Sequence, residues 1–332
     1  MKIEILKKDF EEAIQGAARA VGKNLTLPLL SHIYLKVEKN KLTVRATNLT
    51  IGVEYYLTIK TDESFEVALP TQTLLQSVGA LKSDKLSITF SQGNLSIETK
   101  ERKMLIKGVA SDEFPTIPKV VGTAYTLPIK QFLDGLKSVA FSSAQSDIKP
   151  EISSLYFYTE GNDCVFVSTD SFRLAEKKIP CMNVKTDIPG SMIPIKNVQI
   201  LHRILQDIDT TVDIFVTQSQ IVFTTPTLYL VSRLVDGNYP DYRQIIPTET
   251  TTEITVLRQD FIHALQTVTL FSDKFTQMDM TIDSQTKTCT CFSEQADVGR
   301  AQAVIQVQTT GESITLRYNA RYLLDCLQVI SS

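Results

Sequence analysis

Two hydrophobic periods alternate along this chain, and the order in which they follow one another repeats. A short apolar strand pattern runs through a Lys/Arg/Gln step to a Phe that opens a helical pattern. The copies are Ile5-Leu6-Lys7-Lys8-Asp9-Phe10, Leu127-Pro128-Ile129-Lys130-Gln131-Phe132 and Val256-Leu257-Arg258-Gln259-Asp260-Phe261. The phenylalanines recur about every 125 residues, the size of a small domain rather than of a solenoid unit. A second, related pattern lies midway through each copy. Val67-Ala68-Leu69-Pro70 precedes a helical stretch over 71–82, Met192-Ile193-Pro194-Ile195 one over 196–207, and Ile314-Thr315-Leu316-Arg317 one over 319–328. Leu74, Leu75, Val78 and Leu81, like Val198, Leu201, Ile204 and Leu205, recur at helical spacing.

Between the helices the period drops to two. Leu42 to Thr47, Leu86 to Phe90, Leu95 to Glu98 and Val212 to Val216 alternate as half-buried antiparallel strands do. Turn residues separate them at Glu38-Lys39-Asn40, Gln92-Gly93-Asn94 and Glu160-Gly161-Asn162. Each half-unit therefore reads as a strand, a helix and about three strands. The fold class is α+β, with sheets outside and one helix per half-unit packed on one face. The predicted domains are 1–121, 122–249 and 250–332, with Pro- and Gly-containing linkers at Pro118/Gly122 and Pro247. The third unit is shorter than its siblings and is expected to lack the strands that follow their second helix.

A chain of 332 residues that is 43% hydrophobic and 21% charged suits two or three globular domains. No apolar run is long enough to cross a membrane, and Met1-Lys2-Ile3-Glu4-Ile5 enters a strand directly, so a cytoplasmic protein is expected. The net charge of −3 argues against tight phosphate gripping over the whole surface. It leaves room for loose encirclement of nucleic acid, because the six helical stretches carry more Lys and Arg than Asp and Glu while the remainder is acidic.

Candidate catalytic chemistry is sparse. The five cysteines are scattered; Cys289 and Cys291 form C-x-C in a strand pattern, with no nearby second pair to complete a metal site. Reduced, mostly buried thiols are the expectation, with no metal and no cofactor. His202 and His263 fall in helical stretches, and His32 stands apart from any acid–nucleophile pattern. Neither nucleotide-binding glycine motif occurs. Threefold repetition also speaks against an active site, which rarely needs three copies of one module.

Four strings in order carry a family resemblance. They are Leu25-Thr26-Leu27-Pro28-Leu29-Leu30, Ser168-Thr169-Asp170-Ser171-Phe172-Arg173-Leu174, Leu234 through Arg243, and Tyr318-Asn319-Ala320-Arg321-Tyr322-Leu323. Set on a three-unit repeat, they resemble the bacterial DNA polymerase III β subunits, the β sliding clamps, over essentially the whole chain. The resemblance implies a non-enzymatic processivity factor: a head-to-tail homodimeric ring around duplex DNA, with helices inside. Ring size agrees: helices side by side at ~9 Å would enclose about 17 Å with six and about 34 Å with twelve. A duplex is roughly 20 Å across, so two chains are needed. The alternative is a repeat-built α+β enzyme of nucleotide or carbohydrate metabolism.

The resemblance also implies three sets of residues. Lys196 and Arg203, which match basic pore-facing positions of the family, Lys23 and Asn24 at its loop after the first helix, and Lys149 would face DNA, and the charge of the helical stretches adds Lys82 and Lys137; the bland reading of Lys82, Lys137 and Arg203 is ordinary solvated charge. A pocket for the clamp-binding peptides of the replicative polymerase and repair proteins would comprise Ile152, Thr169, Ser171, Phe172, Arg173, Leu174, Pro240, Gln244, Ile245, Phe275, Asn319 and Tyr322. It has an apolar floor and a few polar groups to orient a peptide backbone. Because the chain ends before the family's C-terminal wall of that pocket, weaker peptide binding is expected. Arg102, Lys103 and Met104 would meet Leu270 and Phe271 across the dimer interface, and a clamp loader would open the ring.

Overall fold

The computed structural model describes residues 2–22, 26–146, 148–181 and 188–330. The first unit contains β1 (Lys2–Leu6), α1 (Lys7–Ala18), β2 (His32–Glu38), β3 (Lys41–Thr47), β4 (Ile51–Thr58), β5 (Phe65–Pro70), α2 (Thr71–Gly79), β6 (Lys85–Ser91), β7 (Asn94–Glu98) and β8 (Lys103–Lys107). The second repeats this order with β9 (Tyr125–Pro128), α3 (Ile129–Ala140), β10 (Ser154–Glu160), β11 (Asp163–Thr169), β12 (Leu174–Pro180), β13 (Ser191–Pro194), α4 (Ile195–Leu205), β14 (Thr211–Val216), β15 (Gln220–Thr225) and β16 (Leu228–Arg233). The third has β17 (Thr252–Thr255), α5 (Arg258–Thr269), β18 (Gln277–Asp283), β19 (Thr288–Gln295), β20 (Gly299–Gln306), β21 (Gln308–Gly311), β22 (Ile314–Asn319) and α6 (Ala320–Val329).

The strand-to-helix corners follow from the repeated strings. Pro70, Pro128 and Pro194 stand at the N-caps of α2, α3 and α4 with φ of −57°, −62° and −52°. Proline's ring fixes φ near these values, and the missing N–H is not needed at a helix start. The repeated phenylalanines anchor the helices: Phe10, Phe132 and Phe261 are all buried. Phe132 meets Phe157, Phe166 and Phe223 at ring-centroid distances of 5.3, 5.6 and 5.1 Å, mostly edge-on or tilted, as ring quadrupoles favour.

The sheets do not follow the half-units of the sequence. The strand before each helix pairs into the sheet of the other half: β1 with β6, β5 with β2, β9 with β14, β13 with β10, and β22 with β18. Each half-unit thus lends a strand to its neighbour, and the two helices of a unit pack together under both sheets. β17 pairs instead with β21, a short strand that the alternation did not predict.

The first two units share one eight-stranded sheet, ordered β5-β2-β3-β4-β16-β15-β14-β9. Its central seam aligns Ile51–Tyr55 of β4 with Ser232–Leu228 of β16. A single apolar core runs through both units, while the third has its own around Phe261, Leu265, Val268, Met280, Cys289 and Cys291. The linker is strapped over the seam's outer face. Tyr229 Oη donates to Pro118 O at 2.8 Å and accepts from Val120 N at 2.9 Å. Lys119 pairs with buried Glu54, which also takes Arg45 at 2.7 Å and Tyr56 Oη at 2.6 Å. Among the described residues, β8, β12 and β20, each the last strand of a half-unit, end their sheets at one side, and β1, β13 and β22 end the same sheets at the other.

Candidate functional site

The turn between β11 and β12 carries five of the candidate pocket residues, and its shape is dictated locally. Thr169 Oγ1 donates to Arg173 O at 2.7 Å and accepts from Ser171 N at 3.2 Å. Asp170 Oδ1 accepts from the N–H groups of Phe172 and Arg173 at 2.9 and 3.0 Å. These are the Asx and Ser/Thr turn bonds that Thr and Asp make to nearby backbone. Ser171 is left at φ +76°.

The first unit builds the same turn from Thr47-Asn48-Leu49-Thr50-Ile51. Thr47 Oγ1 donates to Ile51 O, Asn48 Oδ1 accepts from the N–H groups of Thr50 and Ile51, and Leu49 sits at φ +75°. What surrounds the two copies differs. In the first, Asn197 of α4 closes on the turn: Thr50 Oγ1 donates to Asn197 Oδ1 at 3.0 Å, and Asn197 Nδ2 reaches Thr50 O and Ser232 Oγ. In the second, the tip is open, and Phe172 is 84% exposed.

Arg173 joins this turn to the third unit. Its Nε donates to Asp170 Oδ2 at 3.0 Å and a terminal nitrogen to Asp325 Oδ2 at 2.8 Å. The guanidinium lies 4.2 Å from the centroid of Tyr322 and 5.4 Å from that of Phe141. Such planar stacking and forked bonding suit Arg and not Lys. Asn319 caps α6 by accepting from Tyr322 N at 3.2 Å, while its Nδ2 donates to Phe275 O at 2.9 Å. Leu174 packs with Tyr239, Tyr242 and the β11 valines, which brings the segment bearing Pro240, Gln244 and Ile245 alongside. Tyr242 Oη donates to Glu176, and burial with that bond pushes its phenol well above the usual tyrosine range. Gln244 binds Asp241 at 2.7 Å, whereas Ile245 and Phe275 present exposed apolar surface.

The candidate pocket residues so gathered are Thr169, Ser171, Phe172, Arg173, Leu174, Asn319, Tyr322 and Phe275, with the segment of Pro240, Gln244 and Ile245 alongside. Ile152 is half-buried at the entry to β10, its carbonyl taken by Ala144 N and Ser143 Oγ, and makes no bond to the others. Two residues escaped the sequence reading. Asp170 had a signal, the S-T-D-S string of an Asx turn. Asp325 had none, because its partner lies 152 residues away.

Of the candidate DNA-facing residues, Lys23 and Asn24 lie outside the described residues. Lys82, Lys137, Lys149, Lys196 and Arg203 are all exposed. Lys196 and Arg203 share one face of α4 with exposed Gln199, opposite the buried stripe of Val198, Leu201 and Leu205. α1 and α4 meet where Arg19 donates to Arg203 O and Asp207. Of the candidate interface residues, Lys103 pairs with Glu98 at 2.5 Å, Arg102 donates to Ala80 O at 2.8 Å, and Met104 faces inward beside 63%-exposed Leu105. Leu270 is 74% exposed at the end of α5, and half-buried Phe271 packs near Gly299 at the start of β20. Among the described residues no helix is long and apolar enough to cross a membrane.

Comparison with known proteins covers the chain end to end. Models of the DNA polymerase III beta subunit match as its N-terminal domain over residues 1–118, central domain over 126–241 and C-terminal domain over 243–332. The beta sliding clamp of Bacillus subtilis is 24% identical over 347 residues, 99% of this chain and 90% of that protein. The beta sliding clamp of Synechocystis sp. is 25% identical over 357 residues, with 100% and 91% covered. The crystal structure of the DNA polymerase III subunit beta from Pseudomonas aeruginosa superposes with a TM-score of 0.94 at 23% identity, covering 100% of this chain and 91% of that one. The Bacillus subtilis DNA polymerase sliding clamp gives 0.93, also at 23% identity, with 100% and 90% covered. These comparisons support the clamp over the enzyme of nucleotide or carbohydrate metabolism. With three tandem domain models of one subunit matched in order and the clamp fold reproduced throughout, the chain belongs to the DNA polymerase III beta subunit family, the sliding clamps, which are non-catalytic.

Proposed function

We propose that two copies of this chain close head to tail into a ring that slides on duplex DNA and tethers a polymerase. One observation carries the reading. Within the chain, the last strand of one half-unit, β4, pairs with the last strand of another, β16, and fuses two units into one sheet. The same two kinds of edge recur unpaired as β20 in the third unit and β8 in the first. Pairing β20 of one copy with β8 of a second repeats the internal seam between chains. Unpaired, long edges are otherwise an aggregation hazard. Leu105 on β8 and Val304 on β20, 63% and 54% exposed, supply apolar surface for that seam, as Leu270 does beside it.

The exposed basic side chains of the helices suit loose, sequence-independent attraction to phosphates, which permits sliding. The open β11–β12 turn, Phe172, Ile245, Phe275 and Tyr322 form the face on which a clamp-binding peptide would dock, with Arg173 held ready by Asp170 and Asp325. A clamp loader would part the β8–β20 seam. The test is topological. The protein, loaded on nicked circular DNA, should stay bound through gel filtration and be lost once the circle is cut. Equal retention on circular and linear DNA would refute encirclement.

A further inference from the structure

Cys164 and Cys181 sit at the base of the hairpin whose tip carries Thr169 to Leu174. β11 and β12 pair from Asp163 opposite Pro180 to Thr169 opposite Leu174, and Cys181 N donates to Asn162 O at 2.7 Å. Cys164 lies opposite Ile179, so Cys181 is its diagonal neighbour on the same sheet face. Both side chains are 3% exposed. Both line one small apolar cleft, ≈ 10 Å³, with Leu127, Phe132 and Phe166. The Cys164 thiol donates to the sulfur of Cys181, and burial together with this bond keeps Cys164 protonated.

We propose that Cys164 and Cys181 form a reversible oxidation site that takes hydrogen peroxide and closes to an intramolecular disulfide. The cleft has room for about one water-sized molecule, so peroxide, with two oxygens, reaches the sulfurs as the base of the hairpin opens, and a bulky tripeptide disulfide is excluded. The Cys181 sulfur attacks one peroxide oxygen as its thiol proton leaves; the O–O bond breaks, and the departing hydroxide takes up that proton as water. The resulting sulfenic acid is attacked by the Cys164 sulfur, whose proton leaves with the displaced hydroxyl as a second water. Two thiols lose two electrons and two hydrogens, and one peroxide becomes two waters. The bond staples the open end of a hairpin whose outer strand, β12, has a sheet neighbour on one side only among the described residues. Closing a loop in this way restricts the opened states of the hairpin.

The three other cysteines supply the reference. Cys289 and Cys291 are buried two apart on one strand, and Cys326 is half-buried and single. The full chain is treated with graded hydrogen peroxide, alkylated, digested without reductant and mapped by mass. The expected result is one cross-linked peptide pair joining Cys164 to Cys181, lighter by two hydrogens, with two alkylatable thiols lost and both regained on adding dithiothreitol. Hydrogen exchange at the amides of Thr169 to Leu174 should slow in the cross-linked form. In Cys164→Ser, Cys181 should pass to sulfinic acid with no cross-link. Both thiols still alkylatable at a dose that oxidises Cys326 would overturn the proposal. So would independent sulfinic acids at both positions in the unmutated chain, an outcome that needs no variant to fold.

Discussion

Ring closure through the β8–β20 seam makes Leu105→Ser the most direct perturbation. Leu105 is 63% exposed on the outer face of β8, between Lys103 and Lys107, and unlike its neighbours Met104 and Ile106 is not part of the core. Full burial of a Leu side chain is worth about 2.5 kcal/mol, so covering the exposed part of this one is worth about 1.5 kcal/mol. A two-chain ring has two such seams, and the loss is about 3 kcal/mol per ring, roughly a hundredfold in the dimer dissociation constant. Sedimentation velocity across a concentration series reads that shift, and thermal unfolding of the monomer should be unchanged. A Leu105→Ser chain that dimerises as tightly as the parent would refute the proposed seam.

Phe172→Ala should weaken a labelled clamp-binding peptide about tenfold by fluorescence anisotropy, from lost apolar burial, while an 84%-exposed side chain leaves the melting temperature unmoved. Removing Lys196 and Arg203 together should reduce the slope of log affinity against log salt for DNA by about 2 if both meet phosphates, and by nothing if they are ordinary solvated charges. Glu54→Gln should cost about 3 kcal/mol in urea unfolding at neutral pH, because it leaves Arg45 and Lys119 without their buried anion. The pH dependence has a definite sign. Burial raises the Glu54 carboxyl, but hydrogen bonds from Lys119 and Tyr56 and the charge of Arg45 outweigh it and hold the carboxyl below its ordinary value. Its contribution is therefore complete above the ordinary carboxylate value and lost as pH falls through the lowered one. A matching acid-side slope in Glu54→Gln would show that other carboxylates carry it.

Local chemistry fixed much of this molecule before any contact between distant residues. The strand–Pro–helix corners at Pro70, Pro128 and Pro194 need only proline's fixed φ, and the buried phenylalanines at 10, 132 and 261 need only the helical period. The turn at Thr169 to Arg173 needs only side chains bonding backbone two to four residues away. Such interactions are short in sequence, so one string suffices to read them. Pairing is different. That β1 joins β6 and β5 joins β2 was invisible, because alternation shows which face of a strand is buried and carries nothing about its neighbour. The same limit hid Asp325 from Arg173, and it hid Asn197, which closes the first unit's copy of a turn that the second unit leaves open. Two turns made of the same bonds came to differ through one side chain from another unit, and only the tertiary structure brings it there.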